Sequence, residues 1–307
     1  MSKRESISRY SLIIKKLRSK PSSFQEIADY LEFQSEFQGY DFNISKRTFH
    51  RDKNDILSLY NIEILYNSAE KVYYIDDESS EFNDRILEAF DVFNALNLSE
   101  QLSNYIHFEN RKPKGTGHLN TILQAIKSKN LIQFDYQKFW DEEPSCRIVE
   151  PLALKEFKNR WYLISKDTKD NKIKTFGLDR LSQLIILRKS FSYPENFEIN
   201  KYFKNCFGII GPNAKEPSEI ILSFTPLQGK YIKTLPLHES QEIITDTDTE
   251  FRIKLKLFIT EDFIMELLTH GETLKVIQPQ TLAKKVKGKL EKALQSYTKA
   301  DFLNQRR

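Results

Sequence analysis

Between Ser45 and Lys53 the chain reads Ser-Lys-Arg-Thr-Phe-His-Arg-Asp-Lys, which sets Lys46, Arg47, His50, Arg51 and Lys53 close together. Lysine and arginine neutralise phosphates, and arginine and histidine also hydrogen-bond base edges, so the chemistry offered is nucleic-acid recognition. The element that must present these side chains is a helix. Ser45 is a natural N-cap, and Phe49, Ile56 and Leu57 are expected to form its inward face. The plainer reading of such a cluster is a basic solvated face. Its position in the order of elements decides for DNA. Ile7, Tyr10, Ile13, Ile14 and Leu17 predict a first helix over residues 5–19, and Ser23 with Glu26 forms a capping box that opens a second over Phe24–Leu31. The basic helix comes third, and two short runs, Ile62–Tyr66 and Lys71–Ile75, form a hairpin after it. Three helices and a hairpin make a winged helix-turn-helix, whose third helix enters the major groove. Ser45, Lys46, Arg47, Thr48, His50, Arg51 and Lys53 are therefore the expected DNA-binding residues.

No active site assembles from the sequence. There is no Walker loop, no His-Glu-x-x-His and no paired His-x-Asp cluster, and the five histidines are scattered among unrelated segments. The pairs Asp76-Asp77 and Glu142-Glu143 read as solvating loop charges. Cys146 and Cys206, the two cysteines, lack metal-ligand spacing and suit a reducing compartment. Catalytic residues, a metal and a cofactor are all expected to be absent.

A chain of 307 residues suggests two or three domains, and 39% hydrophobic with 29% charged residues is an ordinary globular composition. The net charge of +4 is too small to argue for an anionic partner by itself. No apolar h-region opens the sequence, and no apolar run approaches the roughly 18 residues of a membrane span, so a cytoplasmic protein without a membrane partner is expected.

A polar junction follows at Asp77–Ser80, then an apolar-striped helix over Phe82–Leu96 that suits an interdomain or dimer seam, then a Pro/Gly-containing linker over Arg111–Gly117. His118–Lys129 reads as a helix with Leu119, Ile122, Leu123 and Ile126 inward. Four period-two runs come next: Leu131–Tyr136, Arg147–Leu154, Arg160–Ile164 and Thr175–Leu181. The last two flank a polar tip at Lys166–Lys172 as a hairpin. Four short strands at this spacing suggest a small barrel, with Arg and Tyr side chains distributed along it. After a connecting region rich in breakers, strand, helix, two strands, helix and strand follow from Ser218 to Pro279, the order of a ferredoxin-like α+β module. A last helix over Thr281–Tyr297 carries Lys284, Lys285, Lys287, Lys289 and Lys292, as a solvated face or as an anion contact.

With these parts in order, the chain resembles bacterial transcription regulators of the WYL-domain family. The triplet is Trp161-Tyr162-Leu163. Arg147 with Glu150-Pro151-Leu152 resembles the family's Arg-x-x-x-Pro strand, and Leu178-Asp179-Arg180-Leu181 its Leu-Asp-Arg-Ile ending. Ser45–Asp52 is similar to the recognition helix of the family's usual DNA-binding domain, and the C-terminal segment to the extension that commonly follows the WYL domain. The resemblance implies a multidomain α+β chain. Its parts are a winged helix-turn-helix at 1–78, a helical linker at 79–117, a WYL domain at 118–190 built as an Sm- or SH3-like barrel, a connector at 191–217 and an α+β extension at 218–300. It further implies a non-enzymatic homodimer that binds a double-stranded DNA operator and senses a nucleic-acid or nucleotide-like effector. The effector contacts would be Tyr136, Arg147, Arg160, Tyr162 and Arg180, since guanidinium groups form bidentate bonds to phosphate and aromatic rings stack on bases. Two departures stand out. Gly177 occupies a position where many relatives place a second arginine, and extra residues around Gln34–Phe42 separate the second and third helices. Two other roles compete with that of a regulator. One is an accessory single-strand- or RNA-binding protein of a defence system; the other is a nucleic-acid-processing enzyme.

Overall fold

The computed structural model describes residues 3–75, 88, 92 and 115–298. Apart from Glu88 and Val92, the helix expected over Phe82–Leu96 lies outside the described residues, as does the linker up to Lys114. The chain divides into two compact units, residues 1–110 and 111–307.

The first unit contains α1 (Lys3–Ser19), α2 (Phe24–Gln38), α3 (Lys46–Tyr60), β1 (Ile64–Asn67) and β2 (Val72–Ile75). Both predicted N-caps form. Ser23 and Glu26 cap each other's backbone reciprocally, and the Ser45 hydroxyl accepts from the Thr48 amide at 3.1 Å. Most of the supposed insertion before α3 is helix. α2 runs on to Gln38 and closes at Gly39, whose φ of +71° only glycine adopts without cost. Phe42 then drops fully into the core, its amide donating to Ser35 Oγ at 2.9 Å. β1 and β2 pair antiparallel, and Ser22 bridges to Tyr73 as a short third strand.

One residue expected on the inward face of α3 lies outside it. Leu57 is exposed, whereas Phe49, Asp52, Ile56 and Tyr60 are buried. A stripe that starts at Phe49 continues at spacings of three and four to 52, 56 and 60, and Leu57 falls beside it. Leu123 is likewise exposed on the helix after the linker, where Ile122 and Ala125 are the buried pair.

The second unit opens with a 3-10 turn (Thr116–His118) and α4 (Leu119–Ser128). Five antiparallel strands follow: β3 (Asn130–Tyr136), β4 (Ser145–Phe157), β5 (Arg160–Asp167), β6 (Ile173–Gly177) and β7 (Leu181–Ser190), in the order β6-β5-β4-β3-β7. The expected closed barrel does not form among the described residues. β6 and β7 are the two edges of the sheet and share no ladder. Between them Leu178–Arg180 is a 3-10 turn where the sequence suggested more strand. The sheet curls enough for one side chain to span the opening, since the Gly177 amide on β6 donates to the Tyr136 hydroxyl from β3 at 3.2 Å. Gly115 also serves this turn. Its φ is +85°, and a Cβ there would lie 2.4 Å from the Leu178 carbonyl carbon.

β5 is covered on both faces. Leu163 joins the core under α4 with Ile122, Phe134 and Phe176, while Ile164 packs on the opposite side with Phe203, Cys206 and Phe258. Phe203 and Cys206 belong to the connector, which includes α5 (Ile199–Phe203) and thus fills a core of its own. The C-terminal module contains β8 (Ser218–Phe224), α6 (Pro226–Thr234), β9 (Glu242–Asp246), β10 (Phe251–Leu257), α7 (Glu261–Thr269), β11 (Leu274–Gln278) and α8 (Gln280–Thr298). Its antiparallel sheet is ordered β11-β8-β10-β9, so the first and third strands lie at the centre, as the ferredoxin-like arrangement requires. No helix among the described residues is long and apolar enough to cross a membrane.

Candidate functional site

Two surfaces carry the residues singled out by the sequence. The first is α3. Lys46, Arg47, His50 and Arg51 are exposed, and Lys53 is half-buried with its ammonium 5.2 Å from the Tyr73 ring centre. Burial pushes the Lys53 ammonium below the usual lysine range. Ser45 and Thr48 spend their hydroxyls on each other and on the cap, at 3.0 Å between oxygens. The rear of the helix is fixed by an ion pair with both side chains at 0% exposure: Arg9 of α1 reaches Asp52 Oδ2 at 2.7 Å and Oδ1 at 3.0 Å. Tyr10 adds a 2.6 Å bond to Asp55, and burial together with that bond pushes its hydroxyl up to about 12. Removing one partner of such a buried pair strands a charge, so α3 is held firmly against α1.

The second surface is a cleft of about 510 Å³ at the open side of the five-stranded sheet. It gathers Tyr136, Arg147 and Arg180 from the sequence expectation, with Lys138, Trp140, Lys174, Thr175 and Phe176 added. The Arg180 guanidinium lies between two rings, 5.1 Å from the Tyr136 centre and 4.6 Å from that of Phe139. Its Nε is shielded from solvent, has no hydrogen-bond partner among the described residues and sits 3.7 Å from Asp179 Oδ1. Burial pushes the Tyr136 hydroxyl up, against the opposing pull of the Gly177 amide and Arg180. Arg147 lies 3.5 Å from Asp167 and donates to Ser145 Oγ at 3.2 Å. Lys174 bridges Asp167 at 2.7 Å and Asp170 at 2.8 Å. Burial opposes ionisation of Asp167. The Lys174 ammonium, the Lys169 amide and Arg147 outweigh it and hold the carboxyl below its ordinary range. The wall therefore stays ionised near neutral pH, with Arg147, Lys174 and Arg180 each beside a carboxylate.

Arg160 and Tyr162 are not brought to this cleft. Arg160 is 58% exposed at the start of β5 and pairs with Asp179 at 3.3 Å. Tyr162 is buried, and it alternates along β5 with Leu163, sharing the face of Ile164. Gly177 has an ordinary φ of −68°, so its lack of a side chain answers a spatial need. A Cβ there would meet Asp179 Oδ1 at 2.7 Å and Arg180 Nη2 at 2.9 Å. Lys138, Trp140 and Lys174 escaped the sequence reading because they sit in, or next to, turns. The available signal was the adjacent pair Phe139-Trp140 in an otherwise polar loop.

Comparison with known proteins matches residues 117–186 to the WYL domain and residues 216–294 to the WCX domain. A curated relative, the methylenetetrahydrofolate–tRNA-(uracil-5-)-methyltransferase TrmFO 2 of Mycoplasma capricolum subsp. capricolum, is 24% identical over 272 residues, 86% of this chain and 62% of the relative. Among solved structures, proteasome accessory factor B/C (PafBC) of Arthrobacter aurescens is 20% identical with a TM-score of 0.34, covering 92% of this chain and 46% of that one. A CRISPR Cas-related protein is 13% identical with a TM-score of 0.39, covering 95% and 92%. The chain thus spans less than two thirds of the length of TrmFO 2 and of PafBC. The WYL match falls on α4 and the five-stranded sheet that forms the cleft, and the WCX match on the four-stranded module. The chain carries a WYL domain followed by a WCX domain.

Proposed function

We propose that this chain is a DNA-binding transcription regulator whose WYL domain senses a nucleic-acid or nucleotide-like effector. In this reading the three helices and hairpin of the first unit are a winged helix-turn-helix, and α3 enters the major groove of an operator. The observation that carries it is the basic face of α3: Lys46, Arg47, His50 and Arg51 all point to solvent while Arg9 and Asp52 lock the opposite side. The WYL cleft supplies cations and rings for an anionic, base-bearing effector, and a buried Arg180 Nε with no hydrogen-bond partner among the described residues suits a ligand oxygen. The protein acts as a homodimer, because paired winged helices read two half-sites. We take it to be cytoplasmic, its two cysteines being free, and assign it no enzymatic activity.

The test is a mobility shift at fixed salt with a duplex that the protein selects from a random pool. Replacing both Arg47 and Arg51 by Ala removes two phosphate or base contacts and should weaken binding by about 100-fold or more. Unchanged affinity would rule out α3 as the reading helix. A second role, as a single-strand-binding accessory protein of a defence system, is favoured by the exposed Phe139 and by the exposed Trp140 that lines the cleft. It predicts that the double variant keeps its full affinity for single strands and that the parent prefers them to any duplex.

A further inference from the structure

The loop between β3 and β4 displays two adjacent aromatic side chains, Phe139 at 74% and Trp140 at 76% exposure, of which Trp140 lines the cleft. Single exposed aromatics are common on protein surfaces and require no explanation. This pair is different because the loop that carries it is tied down from several sides. Tyr136 and Ser145 close it as a strand pair, and the Gln137 amide donates to the Arg180 carbonyl at 3.2 Å. The Gln137 side chain donates to the carbonyls of Lys138 and Asp141, and Lys138 pairs with Asp141 at 3.0 Å. A tethered loop holds its side chains in place before any ligand arrives, which lowers the ordering cost of binding.

The two rings have different surroundings. Phe139 is already engaged, with the Arg180 guanidinium over it. Trp140 meets the Lys138 ammonium only at 5.9 Å from the ring and otherwise faces solvent, although it lines the same cleft as Arg147, Lys174 and Arg180. The cleft therefore joins a cationic wall to one broad, open π surface. Phosphate alone would use the wall and leave the indole idle. An apolar ligand would gain nothing from the cations, which already stand beside carboxylates, or from the Arg180 Nε that has no hydrogen-bond partner among the described residues. A base linked to phosphate uses both.

We propose that Trp140 is the base-stacking platform of the cleft, so that the effector carries an unpaired nucleobase joined to phosphate. This rests on reading the cleft as the effector site, and it deepens that reading. The ligand is a free nucleotide or an unpaired stretch of strand. Duplex does not qualify, because its bases are already stacked on one another.

The chain has two tryptophans, and Trp140 is the more exposed of them, so quenching of intrinsic fluorescence reports probe contact in the parent, while titration calorimetry measures affinity in the parent and in the Trp140 variants. The full-length protein with Arg47→Ala and Arg51→Ala keeps α3 from competing for the probes. These are a short oligothymidylate, thymidine monophosphate, thymidine and inorganic phosphate. Base-plus-phosphate probes should quench the emission. Trp140→Ala should weaken them by about 5- to 150-fold, the usual worth of one stacked base, while Trp140→Phe keeps most of the affinity. Thymidine monophosphate matching the oligomer marks a free nucleotide as the ligand, and binding of the oligomer alone marks a strand. Equal binding by Trp140→Ala, with loss in Arg180→Ala, overturns the platform and leaves the cleft assignment standing. Inorganic phosphate competing as well as the nucleotide also overturns it. If no probe binds, or Arg180→Ala changes nothing, the cleft assignment falls as well. Trp140 bears on no core, and unchanged thermal melting of its variants confirms that the fold is intact.

Discussion

At the scale of single residues, Arg180 and its neighbours show how chemistry is held in place. The guanidinium stands over Tyr136 and Phe139, in space that a side chain at Gly177, on the adjoining strand, would occupy. The glycine that departs from the family pattern is thus what makes room for the arginine present. Gly177→Ala tests this cleanly, because φ at 177 is −68° and any residue tolerates it. Stability should change by less than about 1 kcal/mol. Affinity for the nucleotide probe should fall about 10-fold, the order of one displaced hydrogen-bonding contact to a charged group. Thermal melting and fluorescence titration measure the two, and undiminished affinity would show that Arg180 does not depend on this gap. The sequence made Tyr136, Arg147 and Arg180 legible through the spacing of charged and aromatic residues in strand-like runs. It misplaced Tyr162 because β5 is packed on both faces, which erases the alternation that sorts inward from outward residues.

At the scale of elements, local signals were the readable ones. Ser23 with Glu26 and Ser45 with Thr48 are short-range caps, and both form where their spacing places them. The burial of Asp52 was hidden because its partner Arg9 lies 43 residues away in sequence. Leu57 was assigned inward for the same reason, an aspartate being an unexpected member of a core stripe. The closed barrel failed for a topological reason, since the turn Leu178–Arg180 carries the chain from one sheet edge to the other without pairing them. The α2 cap has a pH signature. The Ser23 amide, then Lys20 and the Ser23 hydroxyl, hold the Glu26 carboxyl at about 2 against an ordinary 4.5. A carboxyl depressed in the folded state stabilises fully above its unfolded value and loses that contribution as pH falls through the folded one. The first unit should therefore lose stability between pH 4.5 and about 2, and Glu26→Gln should flatten that part of the melting profile. Identical profiles for the two proteins would show that the cap carries no ionic component.

At the scale of the molecule, the order of parts was legible because each has its own periodicity, whereas the joints between parts were not. The connector read as a breaker-rich passage, yet it links the cleft to the WCX domain. Thr175 on the cleft wall donates through its hydroxyl to the Ile209 carbonyl at 3.0 Å, and the amides of Ile209 and Ile210 donate to Asp262 at 2.8 and 3.1 Å. Lys158 pairs with Glu266 on the same helix as Asp262. Thr175, which lines the cleft, is thus bonded directly to the segment that docks α7. Under the proposed function, such bonds are a physical means for an effector to favour one arrangement over another, and DNA affinity changes with it where DNA also distinguishes the arrangements. The most direct measurement is the dissociation constant for the pool-selected duplex at fixed salt, with and without a saturating cleft nucleotide, in the parent protein and in Arg180→Ala. A change of at least about 5-fold is expected in the parent, in either direction, and none in the variant. Equal affinity with and without the nucleotide in the parent, under conditions where fluorescence shows the cleft filled, would contradict it.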